Sequence, residues 1–547
     1  MQRLFLTGLA GSGKSTVGRL VAALLGWDFI DTDEIIATRT GLPTGQVLTD
    51  YGEERFREME SEALRGTAGR ERFVVSTGGG CVTAEANRVF LREQGLNIYL
   101  QTSVETAWQR IQGQLHTKGR QVERPLVTGV DGLQRLRDLL AARQAWYEQA
   151  TVHICADAPM PIDIAHEIIV SALAHGLVRT SASACFSSNL QVAGTLSQAV
   201  IEWGSLPLLP KALQGSGMRG RVFVVTDSTV GSLYADAVQT LLTRAGLDPH
   251  IFTVPAGESS KSFACFQQIL DWLVQQHAER SEGLVALGGG VVGDLVGFVA
   301  SCYRRGIPLV QIPTTLLAQV DSAIGGKTGI NHVLGKNLIG AFYQPGLIFV
   351  DPAMLLTLPD RVYREGWAEI VKYGVILDEE LFTMLERHLP DLEKRDADLL
   401  TSVVARCVHL KMDVVQGDER DSGVRNILNY GHTFGHALET VTEYGAWLHG
   451  EAVSIGMEVA GRIAAARGLL PPEGLARQRT LLQAIGLPTA CPGGDSEALL
   501  AAMRHDKKVQ DGRTGWILPT RIGHAQMYRD IPPELVREAV TAVCQAE

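Results

Sequence analysis

The sequence has no long apolar run, no dense cysteine framework and no excess of basic charge, and each absence removes a class of protein. Its most apolar stretch, Leu284 to Ala300, is broken by Asp294 and by several glycines, so it cannot serve as a membrane span, which needs about 20 consecutive apolar residues. The eight cysteines stand apart at 81, 155, 185, 265, 302, 407, 491 and 544, with no CxxC pair. Such scatter suits reduced thiols in a cytosolic chain. Fifty basic residues against 60 acidic ones give a formal net charge of −10, the wrong sign for a nucleic-acid footprint, although local basic pockets can persist. The N-terminus, MQRLFLTGLAGSGKST, shows no secretory cleavage pattern. A cytoplasmic protein without nucleic-acid or membrane partners is expected.

With 547 residues the chain exceeds what one hydrophobic core serves and fits two to four domains. Hydrophobic residues make up 45% of it and its mean hydropathy is +0.06, so ordinary globular cores can form. Residues 3–7 predict a short buried strand, followed by a glycine loop and a helix from about Lys14 to Leu25. Further strands are expected at Phe29–Ile30, ending at Asp31-Thr32-Asp33, at Phe73–Val75 and at Leu96–Leu100. Strands alternating with helical stretches imply a parallel sheet covered by helices. Residues 180–189, TSASACFSSN, are small, polar and aperiodic and predict a linker. Alternation resumes with strands at Arg221–Thr226, Ile251–Val254, Gly283–Leu287 and Leu309–Ile312. From about Glu365 long helical periods take over, at Asp378–Leu389, Ala397–Val415 and Thr433–Ala466. No internal repeat is present.

Gly8-x-x-x-x-Gly13-Lys14-Ser15 directly follows the first strand and precedes a helix. In that context bare backbone N–H groups wrap phosphates, Lys14 reaches the terminal phosphates and the Ser15 hydroxyl ligates Mg²⁺. Gly11, Ser12, Gly13 and Thr16 complete this nucleotide cradle. Asp31 and Asp33 close a strand, where carboxylates reach a metal and a substrate hydroxyl; a solvated turn is the plainer reading of either alone. Arg57 stands in the charged helical stretch EERFRE, where a surface ion pair is the alternative. Gly78-Gly79-Gly80 after a strand permits close backbone approach, as an ordinary loop also does.

A second collection begins past residue 256. Gly288-x-Gly290-x-x-Gly293 follows the apolar strand Leu284–Leu287 and precedes a helical run, the context for a dinucleotide pyrophosphate. Its rival is a tightly packed glycine-rich helix contact. His432 and His436, at i and i+4, share a helical face, and spacing alone selects them as a metal pair against satisfied core histidines. Glu369 and Lys372 share another face at i, i+3. Lys327 and Lys336 sit between glycines, and Lys372 and Lys411 in apolar helical stretches. Each could be a plain surface lysine; four such placements suggest a pocket for phosphate and carboxylate.

Over about residues 1–170 the P-loop, Asp31-Thr32-Asp33, Phe56-Arg57, Gly78-Gly79-Gly80, Arg124-Pro125-Leu126 and Arg143 before Tyr147 together resemble the shikimate kinase family. The resemblance implies ATP as co-substrate with Mg²⁺. It implies Asp33 at the shikimate hydroxyls as base or orienter, and Arg57 and Arg143 clamping the carboxylate with forked donors. Gly79 and Gly80 would line the ring. Arg124 would arrive on a mobile, irregular lid around Gln112–Glu123, meeting the transferring phosphoryl group and excluding the water that competes with the alcohol.

Over about residues 190–547, GESSK at 257–261, Gly288–Asp294, PTTLLAQVDS at 313–322, Gly325–Asn331, Gly335-Lys336-Asn337 and Asn426–Glu439 resemble the 3-dehydroquinate synthase family. That resemblance implies Zn²⁺, with Co²⁺ as a substitute, on Glu369, His432 and His449, which replaces the histidine pair chosen from spacing and leaves His436 near the substrate. NAD⁺ would contact Glu258, Lys261, Gly290, Val291, Val292, Gly293, Asp294, Thr314, Thr315, Lys327, Lys336, Met354, Leu355, Leu356 and Thr357. The substrate would be held by Asp321, Lys327, Asn337, Lys372, Lys411, Arg425, Asn429 and one of Lys507 or Lys508, with Lys508 chosen. Of these, Lys372, Lys411, Arg425 and Asn429, together with His436, would take part in catalysis. The family's reaction converts 3-deoxy-D-arabino-heptulosonate 7-phosphate to 3-dehydroquinate and phosphate with NAD⁺ regenerated, and the family pairs as homodimers through this half.

The expected architecture is therefore α/β throughout. A P-loop kinase-like three-layer domain with a parallel sheet covers 1–175 and a linker 176–189. An α/β NAD-binding half follows over 190–364, then a mostly helical metal- and substrate-binding half over 365–547. The alternatives are another small-molecule P-loop kinase, of the gluconate- or adenylate-kinase type, or a non-catalytic nucleotide sensor, fused to another sugar-phosphate cyclase or a metal-dependent polyol dehydrogenase.

Overall fold

The computed structural model describes residues 2–117, 131–179, 184–192, 194–443, 445–504, 509–510 and 513–546. They form two compact units, Met1–Arg179 and Thr180–Glu547.

The first unit is built on strands β1 (Arg3–Thr7), β2 (Asp28–Asp31), β3 (Phe73–Ser76), β4 (Leu96–Gln101) and β5 (Val152–Cys155). They make one parallel sheet in the order β2-β3-β1-β4-β5. β1 is buried along its whole length, as a central parallel strand covered on both faces must be, which is why it does not read as an alternation. Phe5, Val75, Tyr99 and Tyr147 pack together on one face with Leu64 and Leu91. With β3 on one flank of β1 and β4 on the other, a crevice opens beyond the carboxyl end of β1. The expected helix Lys14–Leu25 starts there and keeps its predicted bounds.

Three expectations for this region change. Thr32 and Asp33 do not close a strand; they open the helix Thr32–Thr40, whose N-cap is Asp31, with Asp31 Oδ1 accepting from Asp33 N at 3.0 Å. Residues 112–117, expected in an irregular lid, finish the helix Val104–Thr117, and the rest of that lid, with Arg124, lies outside the described residues. The linker is shorter than 176–189. Gly176 and Leu177 still donate to Leu173 O and Ala172 O at the end of the helix Pro161–Ala174. Phe186–Asn189 belong to a strand in which Phe186, Ser188, Leu190 and Val192 face inward. That two-residue period is hidden by the serines among them.

The second unit contains β6 (Phe186–Val192), β7 (Thr195–Ile201), β8 (Arg221–Asp227), β9 (Asp248–Val254), β10 (Gly283–Gly288), β11 (Leu309–Pro313), β12 (Lys327–His332), β13 (Gly335–Phe342) and β14 (Leu347–Val350). Seven of them form a sheet in the order β6-β7-β14-β11-β10-β8-β9, parallel except for the antiparallel pair β6–β7. β12 and β13 form a separate antiparallel hairpin, not anticipated from the sequence, and it carries the glycine-flanked lysines. The helical half begins at Asp360, five residues before its expected start. The expected helix Thr433–Ala466 is two helices, His432–Val441 and His449–Ala466. The break has a local cause: Leu448 N donates to Glu451 Oε2 at 2.9 Å, a first-turn carboxylate that satisfies an exposed donor and starts a new helix at His449. No described helix is long and apolar enough to cross a membrane.

Candidate active sites

In the first unit the loop from β1 to its helix turns on Gly11 and Gly13, at φ 85° and 92°, backbone that side chains rarely tolerate. Space is equally short: a Cβ on Gly11 would stand 2.5 Å from Ala107 O. Lys14 is buried and folded over the loop, its Nζ donating to Gly8 O at 2.8 Å and Leu9 O at 2.9 Å; Ser12 Oγ lies 3.4 Å away. Ser15 Oγ donates to Asp31 Oδ2 at 2.6 Å and lies 3.3 Å from Ser76 Oγ. A hydroxyl and a carboxylate side by side, at the mouth of a helix N-terminus, are hard oxygen donors that fit Mg²⁺ beside a phosphate. Thr16 follows, exposed, in the first turn of the helix.

Asp33, Arg57 and Arg143 converge on the glycine turn after β3. A Cβ on Gly78 would come within 3.0 Å of Asp33 Oδ1, and one on Gly80 would overlap Arg57 Nη1. Gly79 O accepts from Arg143 Nη1 at 3.1 Å and from the Tyr147 hydroxyl at 2.5 Å. Burial raises the Tyr147 phenol to about 12, so it stays a donor. Sequence reasoning missed Glu60, which is 2% exposed and pairs with Arg57; Glu53 Oε1 accepts from Arg57 Nη2 at 3.0 Å. Burial pushes the Glu60 carboxyl up while Arg57 pulls it down. The i, i+3 spacing of Arg57 and Glu60 on one helix was the available signal.

In the second unit Glu369, His432 and His449 bring their ligand atoms within 4.8 Å of one another. Glu369 Oε1 is 3.6 Å from His432 Nε2 and 3.8 Å from His449 Nε2. Both rings are held from behind, His432 Nδ1 at 3.1 Å from Tyr430 O and His449 Nδ1 at 3.3 Å from Glu439 Oε2, which turns each Nε2 inward. Glu369 is fully buried, and neither of its oxygens accepts a hydrogen bond among the described residues. Only cations offset such burial, and Lys372, one turn along, already lies against it. Two imidazoles and a carboxylate are a donor set that suits zinc. The pair His432–His436 inferred from spacing is corrected: His436 is exposed and groups with Glu439 and His449 instead. Main-chain contact makes the convergence possible. A Cβ on Gly456 would overlap Gly431 O, and one on Gly450 would overlap Glu365 O.

Cations crowd the space beside this cluster. Lys411 Nζ is 2.8 Å from Asp321 Oδ1, which also accepts from the Tyr373 hydroxyl at 2.7 Å. Arg425 donates to Glu419 O at 2.6 Å and Gly325 O at 3.1 Å. Burial, with Arg425 and Lys372 nearby, pulls Lys411 down to about 8. Burial of Asp321 opposes its ionisation, but Lys411 and Lys372 outweigh that and hold its carboxyl well below the usual range. An uncompensated excess of buried positive charge is what an anionic ligand would relieve. Lys327 pairs with Asp421, Lys336 Nζ donates to Glu439 Oε1 at 3.1 Å, and Asn429 Nδ2 donates to Asn426 O at 3.1 Å. Lys507 and Lys508 lie outside the described residues.

The GxGxxG turn has its expected setting. Gly289 caps the helix Gly290–Cys302, and Thr314 N donates to Gly288 O at 3.0 Å across the ends of β10 and β11. A Cβ on Gly290 would lie 2.8 Å from Ser322 Oγ, one on Gly293 2.8 Å from Gln311 Oε1, and one on Gly289 3.0 Å from Thr315 Cγ2. Thr314 Oγ1 and Ser322 Oγ are buried with no hydrogen-bond partner among the described residues, and orphaned hydroxyls beside a helix N-terminus fit a pyrophosphate. Ser322 was not singled out as a contact from the sequence. Lys261 Nζ donates to Asp294 Oδ2 at 2.6 Å and Asn337 Oδ1 at 2.5 Å; burial pulls its pKa down, but Asp294 outweighs this and raises it. Glu258 Oε1 accepts from Asn331 Nδ2 at 2.7 Å. Val291 is half-buried at the start of the helix, while the side chain of Val292 is in the core. Met354, Leu355 and Leu356 are enclosed, and the Thr357 hydroxyl donates to Met354 O at 2.9 Å beside the Tyr234 hydroxyl.

Three family models match the chain: shikimate kinase over residues 10–173, 3-dehydroquinate synthase N-terminal over 251–365 and 3-dehydroquinate synthase C-terminal over 366–509. The 3-dehydroquinate synthase of Vibrio atlanticus is 46% identical over 321 residues, covering 58% of this chain and 89% of that protein. Among solved structures, the 2-epi-5-epi-valiolone synthase from Streptomyces hygroscopicus with NAD⁺ and Zn²⁺ bound is 31% identical, with a TM-score of 0.60 over 65% of this chain and 98% of that one. A shikimate kinase from Acinetobacter baumannii in complex with shikimate is 35% identical over 32% of this chain and 94% of that one, with a TM-score of 0.30.

Proposed function

We infer the chemistry from membership: the chain belongs to the 3-dehydroquinate synthase family, with a shikimate kinase domain ahead of the synthase in the same polypeptide. The first unit phosphorylates shikimate to shikimate 3-phosphate with ATP. The second converts 3-deoxy-D-arabino-heptulosonate 7-phosphate to 3-dehydroquinate and phosphate, using NAD⁺ and a divalent metal. The observation that carries the second reading is the buried Glu369 carboxylate facing two imidazoles; that for the first is the Gly8–Ser15 loop beside Asp31.

In the kinase, the loop N–H groups and Lys14 cradle the triphosphate, and Ser15 with Asp31 holds Mg²⁺. Arg57 and Arg143 clamp the shikimate carboxylate, so that the reacting hydroxyl points at Asp33, which orients it or takes its proton. In the synthase, Glu369, His432 and His449 hold zinc, while the helix N-terminus at Gly290, Thr314 and Lys261 hold the dinucleotide. A metal held there would supply Lewis acidity toward a substrate alcohol, and the dinucleotide would supply reversible hydride acceptance. Lys372, Lys411 and Arg425 neutralise the substrate carboxylate and phosphate, Asn337 and Asn429 orient its hydroxyls, and Asp321 keeps Lys411 in place. His436 stands at the exposed edge of the metal cluster, where it exchanges a proton with substrate.

A homodimer through the second unit is our reading of the assembly, resting on the family resemblance. The cytoplasm is our reading of the compartment, on the grounds that the relatives are biosynthetic enzymes. The test supplies each substrate separately to purified protein. The heptulosonate phosphate with NAD⁺ and Zn²⁺ should release phosphate with no lasting rise at 340 nm, and shikimate with Mg·ATP should give ADP. Accumulating NADH would instead identify a polyol dehydrogenase, and turnover of a different sugar phosphate another cyclase. A monomer mass by sedimentation would overturn the dimer.

A further inference from the structure

Cys491 and Cys544 are 53 residues apart in sequence, yet their Sγ atoms lie 3.7 Å from each other. Cys491 follows the helix Pro472–Ile485, and Cys544 is the penultimate residue of the helix Pro533–Gln545. Main-chain bonds fix both sides of the pair: Cys491 N donates to Val543 O at 2.9 Å, and Gly493 N to Cys544 O at 3.1 Å. Gly494 leaves room for the sulfurs, since a Cβ there would stand 3.2 Å from Cys544 Sγ and 3.3 Å from Cys491 Sγ. Both thiols are buried, 2% and 7% exposed. A disulfide needs sulfurs about 2.05 Å apart on backbones already held close.

We propose that Cys491 and Cys544 are a covalent modification site, joined as a reversible disulfide by a peroxide or by a glutathione-type disulfide. With a peroxide, one thiolate attacks the O–O bond, forming a sulfenic acid and releasing the first water. The second sulfur then displaces the sulfenic oxygen, which leaves with the remaining proton as a second water. Two thiols and one hydrogen peroxide thus become one disulfide and two waters. With oxidised glutathione the same bond forms by two exchanges and releases two glutathione thiols. Burial raises both thiols, Cys491 to about 12, so attack waits on fraying of the C-terminal helix. The cross-link fastens that helix, which packs on the helix His449–Ala466, to the segment leading into Ser496–Arg504.

The experiment treats the full chain with hydrogen peroxide or oxidised glutathione, alkylates the remaining thiols and digests it. Two of the eight thiols should vanish in denaturant, a single peptide should link Cys491 to Cys544, and dithiothreitol should restore both thiols. Oxidation should raise the thermal transition of the second unit by roughly 2–8 °C and leave that of the first unchanged. Cys544→Ser and Cys491→Ser should each abolish the linked peptide and the thermal gain, with synthase activity before oxidation unaltered. The proposal falls if all eight thiols still titrate. It falls equally if the linkage involves the exposed Cys155, Cys185 or Cys302, or if Cys491 or Cys544 gains oxygen atoms without becoming linked.

Discussion

In the first unit the candidate phosphate cradle is largely main chain, a loop turned through left-handed glycines with a lysine anchored to that loop's own carbonyls. In the second the cations gathered beside Glu369 are side chains from separate helices: Lys372, Lys411 and Arg425 are buried, and the first two are paired with Glu369 and Asp321. A loop of eight residues needs only its neighbours in sequence to take shape. A buried ion-pair cluster needs the helices packed first, and Lys372 and Lys411 each depend on a carboxylate that water cannot replace. The first design is local and tolerant of what surrounds it; the second is cooperative and sensitive to the loss of any member.

That contrast can be broken or sharpened by substitution. The largest effects should come from Lys14→Ala and Glu369→Ala. Lys14→Ala should lower kinase turnover by about 10²–10³-fold and leave the synthase untouched. Glu369→Ala should silence the synthase, with zinc lost on gel filtration as read by metal analysis, and spare the kinase. One substitution that silences both would end the separation. Next, Asp321→Asn should destabilise the second unit by about 3–5 kcal/mol, because it leaves Lys411 buried without its counter-charge. Glu60→Gln in the first unit should cost only about 1–2 kcal/mol, since Arg57 keeps Glu53 and is partly exposed; denaturant unfolding resolved by unit compares the two.

The pH dependence should separate the units as well. Lys411 has its pKa lowered from 10.5 to about 8, so the folded state disfavours its charge. The penalty is fully present below pH 8 and fades as pH rises toward 10.5. Raising pH across that window should therefore strengthen the second unit while its substrate KM rises, because the neutral amine no longer holds an anion. Lys411→Arg should flatten the KM profile, and the kinase KM for shikimate should show no such break. The smallest effect should come from Gly80→Ala, which displaces the Arg57 guanidinium. A roughly tenfold rise in KM for shikimate, about 1.4 kcal/mol, with KM for ATP unchanged, is the expected result.

Legibility in the sequence follows the same contrast. The helix Lys14–Leu25 and the loop before it could be read to the residue, because glycine spacing dictates them locally. The GxGxxG turn was equally plain. Spacing alone chose His432 with His436 along one helix. The cluster that the fold gathers around Glu369 comes from three helices, and His449 joins it where Glu451 restarts a helix. Glu439 and Glu60, which hold His449 and Arg57, carry no motif of their own, since any helical acid can stand at such a spacing. The hairpin β12–β13 was hidden because its glycines read as loop, although Gly329 and Gly340 are there to let two strands touch.

The main-chain contacts at Gly431 with Gly456, and at Gly450 with Glu365, act as a caliper. The spacing of His432 and His449 is set by how closely bare backbone can rest together, at glycines that directly adjoin the two rings in sequence. A single methyl group at Gly456 or Gly450 would force those stretches apart and shift His432 or His449 without altering either side chain. Anyone redesigning this enzyme for another ion would begin behind the site.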